Sequence, residues 1–281
     1  MIKKLFLFLS VTLLIIAGIS VNAQASPKDN VDLAAEVYYF NYEEPGFMED
    51  TGMFYGLAGV YTRYFSSFLG QDATVEDDPF LLQLDGRFAF GIVDYTSVNS
   101  GSLDGINDFV FEGRILGGYE AALGKMTILK PYTGIGYRYL NDDSSGEITT
   151  TGHAGYERES NYIYIPVGVD LVTPITTSWT FGVNVEFDIF LYGRQKSHLG
   201  DAVAGLNSVE NDQDQGYGAR GSLEFRREDE NFDIFIEPFV RFWHIDDSDI
   251  SPITYGGVLT GYGLEPENET LETGLRLGLN F

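Results

Sequence analysis

The chain has 281 residues, 42 acidic against 17 basic side chains and a formal net charge of −25, a balance that argues against nucleic acid as a partner. It has no cysteine, which excludes disulfides, thiolate catalysis, cysteine-based metal sites and a lipid-carrying cysteine. Acidity with few aromatics would indicate disorder, but 15% aromatics and 33 glycines suit ordered β structure.

Lys3 and Lys4 start the chain with positive charge, and Leu5 to Ile19 is a run of apolar and small residues. Val21-Asn22-Ala23 and Ala23-Gln24-Ala25 both offer small residues to a signal peptidase. This predicts a cleaved signal peptide over residues 1–25. The apolar run falls short of the roughly 20 residues of a spanning helix. Residues 26–281 then form one β domain, and losing Lys3 and Lys4 deepens the charge from −25 to −27.

From residue 31 onward the organising signal is alternation with period two, which puts successive side chains on opposite faces of a sheet. Ten segments show it. The first places Val31, Leu33, Ala35, Val37 and Tyr39 on one face with Glu36 opposite. The second places Phe54, Gly56, Ala58, Val60, Thr62 and Tyr64 against Arg63. The third sets Leu82 to Ile92 against Asp85 and Arg87, and the fourth Phe109 to Tyr119 against Glu112 and Arg114. The fifth sets Leu129 to Tyr139 against Lys130 and Arg138, and the sixth Ile163 to Leu171 against Asp170. The seventh runs from Trp179 to Leu191 with Asn184, Glu186 and Asp188 opposite. The eighth sets Tyr217 to Phe225 against Arg220 and Glu224, and the ninth Ile234 to Phe242 against Glu237 and Arg241. The tenth runs from Leu271 to Phe281 with Glu272 and Arg276 opposite.

No apolar face in this series carries a charge, in a chain that is 21% charged. A soluble sandwich also alternates, but an outward Arg or Lys at mid-bilayer costs roughly 2–4 kcal/mol, so lipid gives a reason for the exclusion. The connections alternate too. Glu43–Asp50, Thr96–Asp108, Asn141–Asn161, Gly193–Gly216 and His244–Thr270 read as long polar loops; Ala121–Ile128, Thr173–Ser178 and Arg227–Asn231 read as short turns, with Ser66–Pro79 an exception. Aromatics crowd the strand ends, among them Tyr39, Tyr42, Tyr64, Tyr119, Tyr137, Trp179, Tyr217 and Trp243, as in interfacial girdles. The fold class is therefore all-β: a closed antiparallel transmembrane β-barrel of about ten strands, with long extracellular loops and short periplasmic turns. Pro166 and Pro238 fall inside strands, where a bulge or bend is expected.

The chain ends on Leu275-Arg276-Leu277-Gly278-Leu279-Asn280-Phe281. With Leu275, Leu277, Leu279 and Phe281 at alternate positions, this resembles the C-terminal signal that Gram-negative outer-membrane barrels present to the barrel-assembly machinery. The resemblance implies an outer-membrane location, contact with outer-membrane lipid and lipopolysaccharide, and no cofactor. Ten strands is also the size of the omptin proteases and of some neisserial adhesins. Against the omptin pattern of paired aspartates and an Asp–His pair, the nearest match is Asp94, His244 and Asp246. The partner of Asp94 is missing, and the His–Asp order and spacing are wrong. Lipid-modifying barrels need a Ser–His pair outside a strand, and no histidine falls on a predicted outer face.

His153, His198 and His244 read as solvated loop residues. Asp212, Asp214, Asp246 and Asp249 lie in runs that resemble fragments of calcium loops but complete none, so no metal site is assigned. Asn268-Glu269-Thr270 matches a glycosylation acceptor by accident. The inward set is Glu36, Arg63, Asp85, Arg87, Glu112, Arg114, Arg138, Glu186, Asp188, Arg220, Glu224, Glu237, Arg241 and Arg276, with Tyr132, Tyr162, Tyr164, Phe190, Phe235 and Phe239 taking up room. Eight strands leave a lumen just filled by side chains and sixteen an aqueous channel. At ten, paired charges plugging the lumen are expected. The functional expectation is a non-enzymatic outer-membrane barrel with acidic loops for binding, adhesion or envelope integrity. A narrow porin-like channel for ions or small solutes is the alternative, and an omptin-like enzyme at the barrel mouth the third reading. The sequence identifies no extracellular ligand.

Overall fold

A computed structural model describes residues 29–65, 80–124 and 126–281. The expected signal peptide and the Ser66–Pro79 connection lie outside the described residues. In chain order the elements are β1 (Asp29–Glu44), β2 (Met48–Phe65), β3 (Phe80–Ser97), β4 (Gly101–Tyr119), the short β5 (Ala121–Leu123), β6 (Thr127–Asp143), β7 (Glu157–Pro174) and β8 (Trp179–Ser197). A one-turn helix α1 (Leu199–Ala202) follows, then β9 (Val209–Gln213), β10 (Gly216–Arg227), β11 (Asp233–Ile245), the hairpin β12 (Ser251–Tyr255) and β13 (Val258–Gly263), and β14 (Asn268–Asn280).

Ten strands, all but β5, β9, β12 and β13, form the wall as an antiparallel meander, and β14 pairs back onto β1 to close it. Val31 and Phe281 exchange both backbone hydrogen bonds, at 3.1 and 3.0 Å. This marks one end of the barrel, called the base here; the other end is the rim. β9 pairs with β8 in the same register as β10, so the two are one strand broken at Asp214-Gln215.

Nine of the ten registers face as the alternation predicts, with the uncharged residues outward. β2 is inverted: Met53, Tyr55 and Leu57 point out, while Phe54, Ala58 and Thr62 are buried inside. Both of its registers are rich in apolar and small residues, so period two alone leaves the face undetermined. Arg63 consequently lies outside the barrel, its side chain 57% exposed and 3.9 Å from Asp29 at the base. An outward Arg costs only about 0–1 kcal/mol near an interface. Tyr42, Tyr64 and Trp243 also turn inward and leave the girdle set.

Two expected long loops are tight turns. Residues 45–47 join β1 to β2, and 98–100 join β3 to β4. The apolar pattern stops where lipid stops, but strand pairing continues above it with both faces wet. Gly46 makes the first turn possible at φ +81°, a left-handed conformation other residues avoid. The connections after β6, β8 and β11 are long; the last carries the β12–β13 hairpin, turned by Gly256 and Gly257 at positive φ. At Pro166 the β6–β7 ladder loses the pairs around Gly134 and Ile135, and the β7–β8 register shifts between Ile163 and Tyr164. At Pro238 the β10–β11 ladder is interrupted between Ser222 and Phe225, with no register shift recorded there. Both strands run through their prolines.

Leu57→Arg, mid-strand and outward, is expected to cost about 2–4 kcal/mol of folding stability in lipid, and Arg63→Leu less than about 1 kcal/mol. Urea titrations in vesicles, followed by tryptophan fluorescence, measure both. Tolerance of Leu57→Arg would count against the observed facing of β2.

Candidate functional site

Barrel closure sends the charged register of each strand into the lumen, where the side chains meet across the axis. Glu272 on β14 is the centre. It is fully buried and receives Arg87 at 3.0 Å, Arg138 at 3.3 Å and Arg241 at 2.9 Å. Glu36 on β1 takes Arg241 at 3.0 Å and Arg276 at 3.3 Å, and Arg276 also reaches Glu237 at 2.8 Å. On the other side Glu112 takes Arg87 at 2.6 Å and Arg220 at 2.5 Å. Arg220 continues to Asp188 at 2.7 Å and Glu186 at 3.1 Å, and Arg114 joins Glu186 at 2.7 Å to Asp85. Seven carboxylates thus share six guanidinium groups in one connected layer. Tyr132 and Tyr164 donate their hydroxyls into it, to Glu186 and Glu112.

Aromatic rings pack on the rim side of this layer. Tyr38, Phe40 and Phe54 belong to one cluster, which Phe239 joins from the base side of Arg241; Tyr162, Tyr164, Phe190 and Trp243 form another. The guanidinium of Arg241 sits 4.0 Å from the Phe239 ring centre, and that of Arg220 lies 5.3 Å from Tyr164 and 5.6 Å from Trp243. Such stacking further stabilises cations away from water. Glycines let the rings lie flat on the wall: Tyr164 covers Gly136, where an added Cβ would meet the ring at 2.2 Å.

Toward the base the lumen opens into a cavity of about 360 Å³ lined by both signs of charge, including Asp32, Lys130, Asp170, Glu224 and Arg226. Toward the rim Arg158 gathers Tyr42, Glu44 and Glu265. Glu265 comes from the β13–β14 connection and ties it across the mouth. Burial pushes its carboxyl up to about 7, against the pull of Arg158 and with the repulsion of Glu44.

Thirteen of the fourteen inward candidates line the lumen or its base cavity; Arg63 is the exception. The sequence reading missed Arg226, Arg158 and the rim-side acids Glu44, Asp50, Asp108 and Asp142. Extending the period-two register into the stretches read as loops would have placed Glu44, Asp108 and Asp142 inside, but Asp50 shares the parity of Phe54 and would have gone outward with the inverted reading of β2. Leu275, Leu277, Leu279 and Phe281 all lie on the outer face.

The loop aspartates are engaged or exposed. Asp212 accepts from Arg194 at 2.8 Å and Tyr192 at 2.5 Å; the bond from Arg194 holds its carboxyl below the ordinary range. Asp249 accepts the backbone N–H of Asp212, Asp246 lies 3.1 Å from His244, and Asp214 is exposed. Glu157, His198 and Asp201 place ligand atoms within 4.8 Å of one another at the rim, but His198 Nε2 already contacts Glu159 at 2.6 Å.

His244 is within β11, not beyond it, and stands on the outward register beside Tyr217 and Glu269. An outward histidine therefore exists, contrary to the sequence reading. Asp94 also lies on an outward register, four strands around the ring from His244. Asp94, His244 and Asp246 do not converge on the mouth.

Closure, facing and a charged lumen define the fold of an outer-membrane β-barrel. A known structure agrees. The chain is similar to the outer membrane protease OmpT from Escherichia coli, with 9% identity over 92% of this chain and 97% of that one and a TM-score of 0.62. It also matches the translocator domain of the autotransporter NalP from Neisseria meningitidis (11% identity, 99% and 97% covered, TM-score 0.43) and the outer membrane protein OprG from Pseudomonas aeruginosa (12%, 90% and 94%, 0.32). No protein-family model and no curated protein matches the sequence. The likeness to OmpT is one of fold alone, and the barrel fold supports an outer-membrane location.

Glu272→Ala leaves Arg87, Arg138 and Arg241 short of a partner and is expected to cost about 3–5 kcal/mol, measured by urea unfolding in micelles. For Glu265 the folded state holds its proton to a higher pH than the unfolded chain does. Its contribution to stability is complete below about 4.5 and lost as pH rises through about 7. Proteolysis of the 246–267 connection should therefore speed up from pH 5 to pH 8. Glu265→Gln should flatten that dependence.

Proposed function

We propose that this protein is a non-enzymatic outer-membrane barrel whose closed lumen makes a rigid mount for the acidic rim, and that the rim is the working surface, in binding, adhesion or envelope integrity. The observation that carries the reading is the buried layer around Glu272. Arg138 and Glu272 are fully buried at its centre, and aromatic rings close the space above it. A lumen crossed by paired charges and rings has little room for a solute. The wide separation of Asp94 and His244 further favours a non-enzymatic role.

The partners that suit this surface are outer-membrane lipid along the uncharged belt and lipopolysaccharide near the rim, where divalent ions bridge acidic groups. The β14 pattern from Leu275 to Phe281 suits recognition by the barrel-assembly machinery. A narrow conduit for ions or small solutes is the second reading, supported by the 360 Å³ cavity on the base side, whose lining includes Arg87, Glu112 and Arg241 of the charged layer.

Planar-bilayer recording of the folded protein separates the two. The closed-mount reading expects no resolvable single-channel steps for the wild type and their appearance in Glu272→Ala. Stable steps of uniform size from the wild type would favour the conduit.

A further inference from the structure

Between the aromatic layer and the rim lies a small chamber with far more acid than base. Arg158 is its cation, and Glu44 and Glu265 already use it. Three aspartates remain. Asp50 and Asp108 are 2% and 3% exposed, and one carboxyl oxygen each of Asp50, Asp108 and Asp142 is buried without any hydrogen-bond partner. All three line one cavity of about 10 Å³, together with Arg158, Ser160 and Gln195. That is about the space one water or one small ion needs.

The backbone sets this conflict. Asp108 and Asp142 are direct cross-strand partners on β4 and β6, both facing in. Like charges directly opposite are unfavourable even when exposed. Asp50 on β2 adds a third charge to the same electrostatic neighbourhood. Arg158 approaches Asp142 only to 4.0 Å. Buried carboxylates without a counter-charge are costly, so something must neutralise them.

We propose that the chamber is a binding site for a hard divalent cation, calcium or magnesium, held by Asp50, Asp108 and Asp142. The donor chemistry is all oxygen, with no imidazole or thiolate, which selects hard ions over zinc or copper. Three carboxylates exceed the two charges of the ion, as in strong oxygen-ligand sites. Binding would draw the carboxyl groups inward, since Glu157–His198–Asp201 is the triad of described residues whose ligand atoms already lie within 4.8 Å. The rival occupant is a proton, which would leave neutral aspartic acids in the same place.

The test uses the full processed chain refolded in detergent, free of lipopolysaccharide and stripped of metal, so that bridging to lipid cannot contribute. Thermal melting is followed during titration with CaCl2 and, separately, MgCl2, with calorimetry for stoichiometry. The expected result is a saturable rise in melting midpoint, one ion per chain, an apparent Kd of about 10⁻³ M or tighter, and reversal by a chelator. Asp108→Asn with Asp142→Asn should weaken that affinity at least about ten-fold, with circular dichroism confirming the folded barrel. A wild-type midpoint indifferent to both ions up to about 10 mM, well above the weak end of such sites, overturns the proposal. If the wild-type midpoint then rises as pH falls and that of the double variant does not, protons fill the chamber. An undiminished response in the double variant also overturns it, because the ion would sit elsewhere.

Discussion

Closure of the backbone ladder is the constraint on which the rest of this molecule depends. In hydrocarbon, an unpaired N–H or C=O has no water to turn to, so the wall must return on itself. It does so where Leu33 faces Leu279 and Glu36 faces Arg276. Closure also fixes parity, because a slip of one residue at any seam would send a charged register into lipid. The inward charges are consequently aligned by the ladder itself. Glu36, Arg276 and Glu237 are cross-strand neighbours, and so are Arg87, Glu112 and Arg138.

That alignment explains how so many charges survive without water. A buried ion removed from its partner costs several kcal/mol, yet each carboxylate in the layer touches at least one guanidinium, and Glu272 touches three. Within the layer Arg220 stands opposite Arg241, two like charges in register. They diverge: Arg220 reaches across to Glu112 and Asp188, and Arg241 to Glu36 and Glu272. Such a layer gives little net stability compared with an apolar core of the same volume. Its effect is on register, since each wrong pairing strands a charge.

The facing of nine strands was legible because lipid imposes a harsh rule on one side of each: no charge at mid-depth. β2 escaped because the one charge within the segment read from sequence, Arg63, lies where the rule is weak, and because Met53, Tyr55 and Leu57 are as apolar as Phe54, Ala58 and Val60. The central layer was legible for the same reason, as the complement of the uncharged faces. The acid chamber was not. Asp50, Asp108 and Asp142 stand where the outer face is already polar, so the contrast that reveals a strand fades just where they begin. Nothing local to Asp108 announces Asp142 as its partner; only the β4–β6 register brings them together.

The surplus of acid is distributed unevenly along the barrel axis, and this is physically the most consequential feature of the composition. The central layer is close to neutral, seven carboxylates to six guanidinium groups. The net charge of −25 must therefore lie elsewhere, and much of it is on connections where water screens it. The aspartates of the chamber are buried away from that water, and Arg158, which reaches Asp142 at 4.0 Å, is already shared with Glu44 and Glu265. Charge repulsion there acts directly on β2, β4 and β6, just below the turns and the strap that Glu265 fastens. Whatever neutralises the chamber, ion or proton, thereby sets how tightly the rim is held together, while the layer below keeps the barrel closed in either state.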